Sequence, residues 1–299
     1  MTQELETFKL EGGETVRCGL LLPTEEQKQL CLAYPEYGEN FYLEKNDIRK
    51  ALQNDVYKTF RRLRSPWITN QADMGACGAF AEVNAQHNRR GIQGLPHVVL
   101  SAHYLYMNIN GGRDNGSALV DSLEFSKKGI APRELDVGGK KVLFPAAYNK
   151  NSVSASIYKA AAEQSVLYRS YEAYRLPSQD YSTFSIALAS ALARDHQVVF
   201  AWHVGRYSNR LKNGYVVTGN GPGNHANVFH SGKWVDGEDL VHPDGENSWG
   251  PTKNPLYGPL GAGWGEDGFG LFTMQQAYQC ARNHTFWVYT GNVITKESL

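Results

Sequence analysis

The segment at residues 70–81 constrains this chain more than any other, because it places one cysteine where a helix is expected to begin. Gln71 precedes Cys77 by six residues, and Phe80 and Val83 follow the cysteine at helical spacing. The N-terminus of a helix carries partial positive charge, and positive charge lowers the pKa of a nearby thiol. The segment therefore predicts a reactive cysteine at a helix start, with a side-chain amide before it.

Two later segments carry groups that can assist such a cysteine. His225 follows Cys77 by about 150 residues and precedes an apolar run that predicts a strand, and Asn247 lies in the sequence Asn-Ser-Trp-Gly. An imidazole next to a thiol can hold its proton, and an amide oxygen on the far ring nitrogen orients that imidazole. His203 competes from the neighbouring predicted strand. We favour His225 because of its Asn-His-Ala context and its distance from Cys77.

Two further residues complete the predicted constellation. Gln71 and the backbone N–H of Cys77 would donate hydrogen bonds to the oxyanion of a tetrahedral intermediate. Trp249 would shield the bond between His225 and Asn247 from water, and it would also pack in the core. Cys77 taken alone is more simply a small buried apolar residue. The combination with the other segments is what predicts a nucleophile.

Together these segments resemble the papain-like cysteine peptidases, in which a cysteine segment is followed far downstream by a histidine and an asparagine. The resemblance runs from about residue 55 to 292, and its most specific part is the pair of segments at 247–250 and 263–269. Two residues depart from the family pattern. Met74 stands where secreted relatives carry a cysteine, and Gly78 replaces the aromatic residue that normally follows the nucleophile.

The resemblance implies an α+β protein with a papain-like two-lobed fold. A helical lobe at about 70–135 would face an antiparallel β-barrel lobe at about 195–292, with the substrate cleft between them. It also implies a set of residues that would contact the substrate: Gly116, or Gly112 in the same loop, together with Asn224 and Trp249.

Residues 1–55 are interpreted as an extension in front of the peptidase domain at 56–299. Three elements are predicted near it: a hairpin of residues 7–10 and 15–18, a short helix ending at Leu32, and a helix that begins at Asn46 and continues to Phe60. The extension lacks the long helical pattern of the common propeptides. Three roles stay open: a short propeptide that occupies or flanks the cleft, a permanent accessory element, or an oligomerisation element.

Composition excludes several classes of function. Thirty basic residues balance thirty acidic ones, so no long-range field attracts nucleic acid or anionic lipid. No apolar run approaches the ~20 residues of a membrane span, and the first residues lack the pattern of a secretory signal. A cytoplasmic or virion-associated protein is therefore expected. The cluster Arg61, Arg62 and Arg64 is interpreted as a solvated helix end, in preference to a processing site or a polyanion patch.

Cysteine usage agrees with a reducing compartment, because the four cysteines are scattered and make a poor disulfide framework. Neither Cys-x-x-Cys nor His-Glu-x-x-His occurs, so no metal and no cofactor is expected. The segment at 263–268 satisfies G-x-G-x-x-G, but a loop precedes it and a strand follows it. We interpret it as a loop and not as a dinucleotide site, which would open a helix.

The sequence therefore predicts a cysteine peptidase that acts on peptides or proteins through a Cys77 thioester, with His225 as acid and base. Two alternatives remain. The same residues could serve a thiol amidase, isopeptidase or acyltransferase, because Gly78 would widen the leaving-group side. The chain could also be a catalytically silent papain-like domain with a binding or structural role, although the intact Cys, His, Asn and Gln speak against it.

Overall fold

Side-chain caps and apolar faces define the helices of this protein. The structure is a computed structural model, which describes residues 5–9, 15–64, 69–169, 172–205, 208, 211–236, 240–249 and 268–291. Within these ranges the helices are α1 (Glu25–Leu32), α2 (Lys45–Leu52), α3 (Val56–Arg64), α4 (Cys77–Ile92), α5 (Ala102–Ile109), α6 (Leu119–Ser126), α7 (Ala155–Ser165), α8 (Tyr181–Ala193) and α9 (Met274–Ala281). The side chains of Thr24, Ser101, Ser154, Asp180 and Thr273 each accept a backbone N–H in the first turn of a helix.

The described strands form two hairpins and one large sheet. The strands are β1 (Glu6–Lys9), β2 (Thr15–Cys18), β3 (Glu134–Val137), β4 (Lys140–Leu143), β5 (Ala173–Arg175), β6 (Gln197–Trp202), β7 (Leu211–Lys212), β8 (Tyr215–Val216), β9 (His225–Trp234), β10 (Val241–Glu246), β11 (Phe269–Leu271) and β12 (Trp287–Tyr289). The large sheet has the order β5-β12-β6-β9-β10-β11-β8-β7, and β11 and β8 pair in parallel. The α+β class is therefore confirmed. Where a β-barrel was predicted, the described strands form an open sheet whose outer strands β5 and β7 do not pair with each other.

Several local predictions are confirmed. β1 and β2 pair as an antiparallel hairpin, and α1 ends at Leu32 as predicted. The prediction of one continuous helix from Asn46 to Phe60 is wrong. The segment divides into α2 and α3, because Asn54 and Asp55 adopt positive φ angles of 61° and 54°, which an α-helix does not allow.

Two of the three arginines of α3 are not solvated, so the prediction of a solvated helix end is wrong for Arg61 and Arg64, whereas Arg62 is exposed. Arg61 and Arg64 are 9% and 8% exposed, and their guanidinium groups pair with Asp244 and Glu246 of β10. The Arg64–Glu246 ion pair spans 2.7 Å, and both carboxylates are fully buried. These two ion pairs therefore attach α3 to β10, the strand that ends just before Asn247.

The two halves of the chain meet in one core. Helix α4 is buried from Cys77 to Arg90 and packs against β9 and β6. Side chains of the N-terminal extension, such as Val16, Leu20 and Ile48, belong to the same buried cluster as the large sheet. No helix in the described ranges is long and apolar enough to cross a membrane. Most of the predicted loop at 263–268 lies outside the described residues.

One carboxyl group is buried inside this core. Glu82 of α4 is 1% exposed and accepts a hydrogen bond from Tyr289, the last residue of β12. Burial raises the pKa of Glu82 from 4.5 to about 7, although hydrogen bonds from Tyr289, Ser126 and Gln86 oppose that shift. Folding therefore favours the protonated form, and this contribution to stability is complete below about pH 4.5 and is lost as the pH rises through 7.

We predict that Glu82→Gln stabilises the protein at alkaline pH relative to the wild type. The glutamine is uncharged at every pH, so the difference in unfolding free energy (variant minus wild type) should grow by about 2–3 kcal/mol between pH 5 and pH 8. Urea unfolding at both pH values measures it. Glu25→Gln, at a side chain that is 84% exposed, is the control and should show no such growth. A difference for Glu82→Gln that is constant with pH would contradict the prediction.

Candidate active site

Cys77 lies at the first position of α4 and is completely buried. The backbone N–H groups of Gly19 and Ala226, together with those of Cys77 and Gly78 at the helix start, face its sulfur. Burial nevertheless dominates and raises the pKa of the thiol to about 11, while these N–H groups lower it. In this arrangement Cys77 is a neutral thiol at physiological pH.

His225 and Asn247 are brought together by neighbouring strands. His225 begins β9 and Asn247 follows β10, and the two strands are paired. The Nε2 of His225 lies 2.8 Å from the Oδ1 of Asn247. This geometry leaves Nδ1 as the ring nitrogen that can accept a proton, and Nδ1 has no hydrogen-bond partner within the described part of the chain.

The environment of His225 is apolar. Its ring is fully buried and lies 4.5 Å from the ring of Trp249, centroid to centroid. Burial lowers the pKa of His225 to about 4, and the hydrogen bond with Asn247 opposes this shift. Cys77 reaches the same strand start, because the N–H of Ala226 faces its sulfur. The Cys77 thiol and the His225 imidazole are both uncharged in this structure, and no hydrogen bond joins Nδ1 of His225 to the sulfur.

Gln71 joins the cysteine segment to the asparagine segment. Its backbone N–H donates to the carbonyl of Ser248 at 2.8 Å, and its side-chain oxygen accepts from Ser248 Oγ at 2.6 Å. Its side-chain nitrogen donates to the carbonyl oxygens of Met74 at 2.9 Å and of Arg17 at 3.1 Å. The amide predicted to bind an oxyanion thus already holds a carbonyl oxygen of the N-terminal extension.

Residues of the extension run directly over Cys77. The N–H of Leu20 donates to the carbonyl of Asn224 at 3.1 Å, on the side of the large sheet. On the helical side, the carbonyl of Gly19 accepts from the N–H of Ser117 at 2.9 Å, and the N–H of Leu21 donates to the carbonyl of Ser117 at 3.1 Å. The residues from Arg17 to Leu21, which we call the cleft segment, therefore pair by backbone hydrogen bonds with both walls of the cleft.

The fit of the cleft segment depends on glycines. A Cβ placed on Gly19 would lie 1.8 Å from the carbonyl oxygen of Gly75, so no larger residue fits there without displacement. A Cβ on Gly116, whose φ is +79°, would lie 2.2 Å from the carbonyl oxygen of Gly19. Gly112 has open space around it, and its N–H donates to Asn110. Of the two loop glycines, Gly116 is the one that contacts the cleft segment.

Four of the predicted site residues contact the cleft segment, namely Gln71, Cys77, Gly116 and Asn224. Three others, His225, Asn247 and Trp249, lie together at the start of β9 and the end of β10. His203 lies against Gly219 and Gly221, and it lines a small pocket together with Leu20 of the cleft segment and Asn224. Sequence reasoning missed Ser117 as the residue that pairs with the bound backbone, and Ser248 as the partner of Gln71. Backbone pairing leaves no side-chain signal at Ser117, whereas the position of Ser248 beside Asn247 was visible in the sequence.

Solved structures share this arrangement of elements. The chain is similar to a digestive procathepsin L 3 from Tenebrio molitor larval midgut, with 18% identity and a TM-score of 0.52. It is also similar to xylellain, a cysteine protease from Xylella fastidiosa, with 19% identity over 93% of this chain and 91% of that one and a TM-score of 0.51. For procathepsin B S9 from Trypanosoma congolense the identity is 15%, the coverage 93% and 87%, and the TM-score 0.57.

These similarities show that the chain has the papain-like fold, in agreement with the resemblance in its sequence. The match to the procathepsin L 3 covers 76% of this chain but only 66% of that one. The sequence matches no protein-family model, and no curated protein matches it either.

We predict that Gly19→Val displaces the cleft segment and exposes Cys77. Removing the burial that holds the thiol pKa near 11 should return it toward its ordinary value of 9.0, which raises the thiolate fraction at pH 7 by about 100-fold. Alkylation with limiting iodoacetamide, read for each cysteine by peptide mass spectrometry, measures the change.

Two controls separate displacement from unfolding. Cys31 and Cys280 are 4% and 5% exposed and lie outside the cleft segment, so they should stay slow in the variant. Gly38→Ala places a Cβ no closer than 3.6 Å to its neighbours and should leave Cys77 as slow as in the wild type. Equal Cys77 rates in Gly19→Val and the wild type would show that the cleft segment does not protect the thiol.

Proposed function

We propose that the chain is a cysteine peptidase whose cleft is closed by its own N-terminal extension. The observation that carries this proposal is the cleft segment itself. An extended polypeptide lies across Cys77 and is held by backbone hydrogen bonds to Ser117 and Asn224. A cleft that binds main-chain groups on both sides suits a peptide substrate of the same extended form, because main-chain pairing gives affinity that depends little on side chains.

The residues around the cleft suit acyl transfer to a thiol. The Sγ of Cys77 attacks the scissile carbonyl carbon while Nδ1 of His225 takes the thiol proton. The tetrahedral intermediate collapses to a thioester, and the leaving amine receives that proton from His225. Water then attacks the thioester, His225 takes a proton from the water, and Cys77 recovers its proton as the carboxylic acid leaves.

Three groups support these steps. Asn247 accepts the hydrogen bond from Nε2 of His225 and so directs Nδ1 toward the sulfur. The side-chain N–H of Gln71 and the N–H of Cys77 stabilise the oxyanion. In the closed form the Gln71 amide is bonded to the Arg17 carbonyl, so the cleft segment must leave before a substrate carbonyl can bind there.

We predict that activity requires both an open cleft and these residues. In the Gly19→Val background, cleavage of unfolded casein should exceed that of the wild type. Adding Cys77→Ala to that background should abolish cleavage. Adding Gln71→Ala should lower kcat by about 10²–10³-fold, as expected for loss of one oxyanion donor. Adding Asn247→Ala should lower kcat/KM by about 10–100-fold, since a hydrogen bond to a charged group contributes about 1.5–3 kcal/mol.

The alkylation experiment distinguishes the reasons for a negative result. If Cys77 becomes reactive in Gly19→Val but no peptide bond is cleaved, the peptidase proposal fails and a different acyl substrate must be sought. Cleavage that survives Cys77→Ala would come from another source and would also contradict the proposal.

The structure gives little support to a non-peptide acyl substrate. Gly78 motivated that alternative, because a missing side chain there would widen the leaving-group side. A Cβ on Gly78 would instead lie 3.3 Å from Ser117 Oγ and 3.3 Å from Ser122 Oγ, inside the helical lobe. The space is taken by two hydroxyl groups, so Gly78 does not enlarge the cleft.

A further inference from the structure

A second cavity lies on the far end of α4 from Cys77. It has a volume of about 310 Å³ and is bounded by α3, by the last turns of α4 and by residues 95–98. No residue of the cleft described above lines it. The volume is at the lower end of the range of small-molecule sites in proteins, which are commonly about 300–1,000 Å³.

One part of this cavity is apolar. Its wall is formed by Phe60, Leu63, Ile92, Leu95 and Val98. Leu63 and Ile92 are among the most exposed large apolar side chains in the described part of the chain, at 66% and 40%. Covering them with an apolar ligand would remove that surface from water, at about 25 cal/mol per Å².

The other part of the cavity carries positive charge. Arg64 and Arg90 both line it and are 8% and 5% exposed, and no aspartate or glutamate is among its described lining residues. Arg64 is paired with Glu246, which lies behind the lining. Burial and then Arg64 lower the pKa values of His87 and His97, and Arg90 contributes to both shifts. Both imidazoles are therefore neutral at physiological pH, beside Arg90 and the ion pair of Arg64 with Glu246.

His87 adds a directed hydrogen-bond donor. The N–H of Leu100 donates to its Nε2 at 2.9 Å, so that nitrogen is an acceptor. The ring is neutral, which leaves the proton on Nδ1. Nδ1 is buried and has no hydrogen-bond partner in the described chain, and His87 is only 5% exposed. A buried donor without an acceptor costs about 1–3 kcal/mol, and a ligand acceptor would remove that cost.

We propose that this cavity, formed by α3, α4 and residues 95–98, binds a small amphipathic carboxylate. The carboxylate lies beside Arg64, Arg90 and the Nδ1–H of His87, and the aliphatic chain lies against Leu63 and Ile92. A cation would be repelled by the arginines, and a neutral alcohol would gain only the apolar contacts. The negative head group and the aliphatic chain of the ligand together define its chemical class.

The site has a structural connection to the cleft. Arg64 and Asn88, which both line the cavity, also hold the carboxylate of Glu246, at 2.7 and 3.1 Å. Glu246 directly precedes Asn247. A ligand carboxylate beside Arg64 therefore lies against the ion pair that anchors the end of β10, and it is placed to act on the orientation of Asn247.

The test is isothermal titration of the full-length protein with octanoate, octan-1-ol and octylammonium, which share one chain and differ in the head group. Octanoate should bind with one site per chain and about tenfold or more tighter than octan-1-ol, and octylammonium should not bind. Equal binding of octanoate and octanol, or no binding of octanoate, would overturn the proposal.

A pair of variants at one position locates the site. Gly91 lines the cavity near the end of α4, and a Cβ there would meet nothing within 4 Å. Gly91→Leu should fill the cavity and weaken octanoate binding about tenfold or more, while leucine is a better helix former than glycine by up to about 1 kcal/mol. Gly91→Ala is the matched control and should keep the affinity. Octanoate binding that is unchanged in Gly91→Leu would place the ligand elsewhere and overturn the assignment.

The binding result does not depend on peptidase activity. Octanoate affinity is measured directly, so this experiment tests the ligand site independently of the proposed peptidase activity. Arg90→Gln supplies a further readout, because it should weaken octanoate and leave octan-1-ol unchanged. Equal loss for both ligands in that variant would mean that the head group is not bound there.

Discussion

The burial of α4 is the constraint on which the rest of this structure depends. The helix is enclosed along almost its full length although it carries Glu82, Asn84, Asn88 and Arg89. Burying a polar group costs free energy unless the group finds a hydrogen-bond partner. The partners come from distant parts of the chain: Tyr289 for Glu82, Thr69 for Asn84, Glu246 for Asn88, and the carbonyl groups of residues 195, 290 and 291 for Arg89.

These partners leave the helix one orientation against the sheet. Cys77 begins the helix and His225 begins the strand β9 against which it packs, so the docking that satisfies the buried polar groups also brings the helix of the cysteine onto the strand of the histidine. Ion pairs also stabilise this packing. Arg61 and Arg64 of α3 bind the carboxylates of Asp244 and Glu246 in β10. The cleft is thus positioned by buried ionic contacts that lie outside it.

The charge state of the site follows from what covers it. With the cleft segment in place, burial raises the pKa of the Cys77 thiol and lowers that of the His225 imidazole, so both groups are neutral. Separated charges would be costly in such a water-free space. The cleft segment therefore does more than block access, because it also removes the solvation that an ion pair of thiolate and imidazolium would need.

Much of the candidate site could be read from the chain itself. Local motifs identified Gln71, Cys77, His225 and Asn247, and helical spacing after Cys77 indicated the helix that begins there. The sequence alone did not indicate β10, because Pro243 and Gly245 are poor strand residues that become ordered only between β9 and β11. The sequence also led to a wrong prediction for Arg61 and Arg64, which were expected to be solvated. Their ion-pair partners lie about 180 residues away in the chain.

By itself, then, the sequence determined the chemistry of the site and the α+β class, since side-chain identity and helix or strand periodicity are local properties. Only the tertiary structure decided that residues of the N-terminal extension pair with Ser117 and Asn224, and that Arg61 and Arg64 of α3 are buried. These features depend on backbone pairing and on charge pairs between distant segments, and neither leaves a pattern that neighbouring residues can reveal.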